Sequence, residues 1–168
     1  MFELKNDPIL DIMTELISLL KKNRQTVATA ESCTGGILAT LLTHLPGSSE
    51  IYLGGVSAYS NFLKEKVLQV PGEILKKYGA VSANVAEGMA TGIADLAKSD
   101  FSVSVTGIAG PGGGTAEKPV GTIWCGYHTP QGVYSKHYLL GPDRQKNRAE
   151  ISSLALRQLL SYIEASNK

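Results

Sequence analysis

The chain has 168 residues, a formal net charge of +1 and only 18% charged side chains. That length is ordinary for one domain with a sizeable core, and that charge argues against a strongly basic nucleic-acid binder or a disordered acidic tail. Cys33 and Cys125 stand far apart, giving neither a disulfide framework nor a clustered zinc site. Met1–Asp7 lacks the apolar region of a secretory signal, and no run is long enough to span a bilayer, so a soluble cytoplasmic domain is expected.

In chain order, Asp7-Pro8 reads as an N-cap followed by proline at the first helical position. Ile9, Ile12, Met13, Leu16 and Leu20 then recur at helical spacing up to Lys21-Lys22. A short strand, Thr26–Ala30, leads into Glu31-Ser32-Cys33-Thr34-Gly35-Gly36 and an apolar helix through Leu45 that Pro46-Gly47 ends. A β-rich run from Ile51 to Tyr59 stops at Ser60-Asn61, a good cap for a helix holding Lys64 and Val67. Pro71 opens a short helix ending near Gly79. Ser82 caps a longer one with Val85, Met89, Ile93 and Leu96 on one face. Phe101–Thr106 is a strand, followed by a glycine-rich segment from Gly107 to Pro119. Gly121–Thr129 and Val133–Leu140 form a hairpin across Pro130-Gln131-Gly132, and Asp143 starts a last helix with Ile151, Leu154, Ala155, Leu159 and Tyr162 facing inward. Strands and helices alternate, and the hairpin supplies antiparallel pairing. The expected fold is therefore a single-domain (1–168) three-layer α/β/α sandwich with a mixed sheet.

The chain carries 18 glycines, about 11% against an average near 7%. Gly107, Gly110, Gly112, Gly113 and Gly114 fall in one segment of roughly a dozen residues, a length that in a compact domain marks a ligand loop or a flexible crossover. Glycine lets backbone N–H groups approach an anion, so a phosphate or carboxylate cradle is one reading; neither a Walker A motif nor a helix-opening G-x-G-x-x-G is present. Thr34-Gly35-Gly36 and Ser32 lie where a strand turns into a helix. A hydroxyl there can attack a carbonyl while backbone N–H groups hold the oxyanion, or it can simply cap the helix. Cys33 is a rival nucleophile or a small buried hydrophobe.

A serine nucleophile needs a base. His44 closes an apolar helix, and His128 and His137 lie on the hairpin, so none is well placed. Lys64 is better: near the start of its helix the dipole and any burial disfavour the ammonium form, although a solvated surface lysine is the plainer reading. Tyr59 could bond a nucleophile or substrate, or merely pack. Arg144, Lys146 and Arg148 gather at the start of the last helix beside Asp143 and Glu150, as an anion site or an exposed ion-pair network.

Taken together, Ala30-Glu31-Ser32-Cys33-Thr34-Gly35-Gly36, Tyr59-Ser60-Asn61 with Lys64, Gly79-Ala80-Val81-Ser82, Thr106-Gly107-Ile108-Ala109-Gly110-Pro111, Glu117-Lys118-Pro119-Val120-Gly121-Thr122 and Gly141 with Asp143-Arg144 and Arg148 occur in order. From about Leu10 to Leu160 the chain resembles the nicotinamide-nucleotide amidase family, the domain that forms the C-terminal part of CinA-type competence proteins. One departure is Pro142, where the family commonly reads Gly-Asp-Arg. The resemblance implies hydrolysis of the carboxamide of nicotinamide mononucleotide to nicotinate mononucleotide and ammonia. It implies Ser32 as nucleophile, Lys64 as base, Tyr59 beside them, and Thr106 with the glycine segment (Gly107, Gly110, Gly112) as the substrate-binding part. For that chemistry the Thr34, Gly35 and Gly36 amides at the substrate are the expected oxyanion donors, and Arg144 or Arg148 the expected phosphate ligand. It further implies no cofactor or metal, no nucleic-acid or membrane partner, and a homo-oligomer, a dimer above all. Activity tied to the N-terminal partner domain of long CinA proteins is not expected. A catalytically silent nucleotide-binding or partner-docking module of the same fold is the alternative.

Overall fold

The computed structural model of this protein describes residues 8–167. Helix α1 (Ile9–Asn23) buries Ile9, Ile12, Met13, Leu16, Ile17 and Leu20 along one stripe and ends on Lys21 and Lys22, whose charges oppose the helix dipole. Pro8 precedes it directly; the expected cap Asp7 lies outside the described residues. Strand β1 (Val27–Glu31) follows, then α2 (Ile37–Leu42). This helix is shorter than its apolar pattern predicts. Leu45 stands before Pro46, which disfavours helical backbone, and the Thr43 hydroxyl turns back onto the carbonyls of Ala39 and Thr40.

After a 3-10 turn at Ser48–Glu50 come β2 (Tyr52–Ser57), α3 (Asn61–Lys66), α4 (Gly72–Tyr78) and α5 (Ala83–Ala97). Ser60 and Ser82 cap α3 and α5 as expected, each accepting a backbone N–H three residues on. The buried stripe of α5 runs from Val85 to Ala94. Leu96 is not part of it: 55% exposed, it lines a groove between α5 and the 67–71 segment. Strands β3 (Phe101–Gly107), β4 (Thr122–Thr129) and β5 (Gly132–Leu139) and helix α6 (Arg144–Ser166) complete the chain. The hairpin closes over Pro130 and Gln131 alone, because Thr129 already pairs with Gly132. Asp143 caps α6 by accepting the N–H groups of Gln145 and Lys146.

One five-stranded sheet results, in the order β2-β1-β3-β4-β5. β1 is parallel to β2 and β3, whereas β3–β4 and β4–β5 are antiparallel. α1, α2 and α6 cover one face, packing on Val27, Phe101, Val103, Val105, Ile123, Cys125 and Tyr127. The other face holds Ala28, Ala30, Val85, Met89 and Ile93 with Leu68, Val70 and Leu75. The fold class is thus the expected mixed α/β sandwich.

On that second face β3 presents hydroxyls, not aliphatic groups. Ser102 and Ser104 donate to the Ala90 and Ala86 carbonyls of α5. The helix can come that close only because Gly126 lacks a side chain: a Cβ there would overlap the Ala86 carbonyl. From β1 the chain leaves toward β2, and from β3 toward β4, in opposite directions. Such a divergence opens a crevice beyond the carboxyl ends of the two strands, where open α/β sheets bind ligands.

Candidate active site

Ser32 follows directly on β1, and its backbone N–H donates to Val105 O on β3 at 2.9 Å. Its side chain is 8% exposed. Lys64, fourth residue of α3 and 1% exposed, reaches it from the opposite side of the crevice: Nζ donates to Ser32 Oγ at 3.0 Å and to Ala58 O at 2.8 Å. No carboxylate pairs with Lys64 among the described residues. Burial therefore lowers its pKa from the ordinary lysine value, against a smaller opposing effect of the Cys33 thiol. The expected help from the helix dipole is not the cause, since α3 is so short that Lys64 falls in its last turn. Burial acts on the Cys33 thiol in the other direction, pushing it up to about 12.

These residues line a cavity of about 300 Å³ together with Tyr59, Thr106, Gly107, Gly110, Gly112 and Arg144. Arg144 bridges its two sides. Nη1 donates to Gly110 O at 3.0 Å and Nη2 to the Tyr59 hydroxyl at 3.1 Å. Both partners are neutral oxygens, so the guanidinium charge stands uncompensated at the mouth. Thr106 faces away from solvent and donates to Ala80 O.

Four of the expected substrate residues lie elsewhere. Thr34 is fully buried, and Gly35, Gly36 and Arg148 are outside the cavity lining. The Gly36 N–H donates to the Glu31 carboxylate, as do those of Leu38 and Ala39, at 2.9, 3.1 and 2.9 Å. The positive end of α2 is thus closed by the chain's own anion. Gly35 N–H donates to Ser32 O at 3.2 Å. Positive φ angles of 62° at Gly35 and 101° at Gly36 fold the chain back far enough for this, a conformation side chains resist. Cys33 lines the cavity, and its N–H has no oxygen acceptor among the described residues.

A family model described as the CinA C-terminal domain matches residues 10–163. The chain belongs to the CinA C-terminal domain family. The CinA-like protein of Desulfotalea psychrophila is 45% identical over 154 residues, covering 91% of this chain and 37% of that protein. That of Synechocystis is 47% identical over 146 residues, 87% of this chain and 35% of the other. The chain thus spans little more than a third of the length of these curated relatives. Among solved structures, the competence/damage inducible protein CihA from Agrobacterium tumefaciens matches with a TM-score of 0.89 at 38% identity, over 92% of this chain and 94% of that one. The CinA superfamily protein from Escherichia coli matches with a TM-score of 0.88 at 34% identity, over 95% and 93% of the two chains.

In this CinA domain several supports of the site have roles that the sequence patterns do not assign. Asn147 is buried in α6 and donates to Ala109 O at 3.0 Å and to Gly141 O at 2.7 Å, tying the glycine segment to the turn before that helix. Lys118 anchors the far end of the segment, donating to Tyr78 O and Val81 O. Asn61 lines the cavity, and the sequence marks it only as a helix start. None of the three histidines does. Among the described residues no three His, Cys, Asp or Glu side chains group as a metal site, and no helix is long and apolar enough to cross a membrane.

Proposed function

We propose that this CinA domain hydrolyses the carboxamide of nicotinamide mononucleotide to nicotinate mononucleotide and ammonia, with Ser32 as nucleophile and Lys64 as its base. The observation that carries the reading is the buried Lys64 Nζ, 3.0 Å from Ser32 Oγ and without a carboxylate partner among the described residues. With the amine neutral, the contact reverses and the Ser32 O–H donates to the Nζ lone pair.

Ser32 Oγ attacks the carboxamide carbon while Lys64 takes its proton. The pyridinium ring withdraws electrons and makes this amide a better electrophile than an ordinary one. The Cys33 N–H, on the residue after the nucleophile, is the candidate donor to the oxyanion, by analogy with other nucleophile turns. The ammonium of Lys64 then gives its proton to the departing nitrogen, and ammonia leaves an acyl-serine ester. Water attacks that ester, Lys64 accepts its proton and returns it to Ser32 Oγ, and the carboxylate product leaves. Arg144, bonded only to neutral oxygens, and the glycine segment opposite it supply cationic and N–H groups for the phosphate.

The test is ammonia release by the purified protein from nicotinamide mononucleotide, with Ser32→Ala and Lys64→Met each reducing it to background while both variants melt cooperatively. Near-wild-type turnover in either variant would remove the serine–lysine pair. Nucleotide binding by the wild type with no ammonia released would make the domain a binding module instead.

A further inference from the structure

Arg148 sits on α6 with its guanidinium against the back of the nucleophile turn. Nη2 donates to Thr34 O at 2.8 Å, across 114 residues of sequence. A Cβ on Gly35 would lie 3.4 Å from that same nitrogen, so the glycine lets the guanidinium rest on the turn. Among the described residues no carboxylate pairs with Arg148, and its Nε is shielded from solvent without a hydrogen-bond partner. Arg148 is part-buried, and keeping its Nε shielded and unpaired costs free energy.

The bonds that start at this guanidinium form a chain. The peptide whose carbonyl accepts from Arg148 is the one joining Thr34 to Gly35; its N–H, that of Gly35, donates to Ser32 O at 3.2 Å. The Ser32 carbonyl in turn shares its peptide with the N–H of Cys33, a cavity-lining residue whose amide has no oxygen acceptor among the described residues. A carbonyl that accepts a hydrogen bond polarises its peptide and strengthens the N–H at the other end, more so from a charged donor and away from water.

We propose that Arg148 is a positioning residue of the amidase reaction: through the Thr34 and Ser32 peptides it orients and polarises the Cys33 N–H that receives the oxyanion, and it does not bind the substrate phosphate. The inference rests on the reading of Ser32 as nucleophile. It separates the two arginines of α6, giving Arg144 the ligand and Arg148 the transition state.

The experiment compares wild type with Arg148→Met, which keeps bulk and removes charge and donors. Expected is a kcat for the mononucleotide lowered roughly tenfold to a hundredfold, by analogy with misplaced or missing oxyanion donors. The calorimetric Kd of the product, nicotinate mononucleotide, should stay within about twofold, since a transition-state interaction leaves ground-state binding unchanged. Arg148→Lys retains the charge and one donor and should recover part of kcat, and it carries the comparison should Arg148→Met not fold. A product Kd weakened about tenfold or more with kcat retained would make Arg148 a phosphate ligand. A lowered melting temperature with kcat and Kd unchanged would make it a structural tether only. Either result overturns the proposal. If the wild type releases no ammonia, the amidase reading fails on its own. The relay is then read from the rate at which a fluorophosphonate labels Ser32: slower labelling of Arg148→Met supports it, and equal labelling overturns it.

Discussion

The carboxylate of Glu31 accepts the Gly36 amide at 2.9 Å, so the residue just before Ser32 is also the cap of the helix just after it. The arrangement locks both ends of the Ser32 turn with one buried side chain that also holds the Leu38 and Ala39 amides. In Glu31→Gln an amide NH₂ replaces one oxygen and meets backbone donors head-on. A loss of about 1–3 kcal/mol in stability follows from the unsatisfied pair. Thermal melts check the stability loss, and ammonia release checks the accompanying fall in kcat.

Cys33 stands beside Ser32 in the same cavity, yet burial holds its thiol near 12, so almost no thiolate exists at neutral pH. Cys33→Ala is therefore expected to retain most of the activity that Ser32→Ala loses, and iodoacetamide at pH 7 to inactivate the wild type slowly. Rapid inactivation, protected by nucleotide, would transfer the nucleophile's role to the thiol.

The depressed pKa of Lys64 fixes the sign of the pH dependence. Only the neutral amine accepts the Ser32 proton, so kcat/KM rises with pH to a plateau whose midpoint lies below the ordinary lysine value of about 10.4. Stability follows the same direction. The folded state binds fewer protons than the unfolded one between the lowered and the ordinary pKa, so folding gains as pH climbs through that window. Lys64→Met removes the stability slope along with the activity. A pH–rate profile paired with melts across the same range reads them out.

Arg144 offers its charge to the cavity while bonded to Tyr59 and Gly110. Removing it in Arg144→Met is expected to raise KM for the mononucleotide roughly tenfold to a hundredfold, the value of one charge-assisted hydrogen bond. The riboside, which lacks the phosphate, should be turned over as well by the variant as by the wild type. Steady-state kinetics on both substrates decide it.

Much of this architecture is legible in the sequence because it is local. The stripe from Ile9 to Leu20, the serine caps at Ser60 and Ser82 and the Asp143 start of α6 each declare themselves within a few residues. Lys64 is legible as a base candidate only as a residue type in the right company, because its burial comes from elements far along the chain. Gly35 and Gly36 invite an anion-binding reading, but the Gly36 N–H meets Glu31 at the end of β1 and that of Gly35 the Ser32 carbonyl. That outcome depends on two backbone angles which no pattern of residue types encodes. Arg148 and Arg144, one helical turn apart, look equivalent in sequence; only the tertiary contacts with Thr34 and Tyr59 tell them apart. Leu96 keeps helical spacing with Ile93 but runs past the end of the buried stripe.

The adjacency of β1 and β3 also has a kinetic side. Ser32 directly follows one of these strands and Gly107 ends the other, and they become neighbours only when parallel pairing such as Val27 with Phe101 joins segments more than seventy residues apart. Contacts of that sequence separation form late, after the entropy of closing a long loop has been overcome. A nascent or partly folded chain therefore holds a serine with no glycine segment facing it. Recovery of turnover during refolding reports the completion of the sheet, and it should lag behind the return of helical signal from α1 and α6.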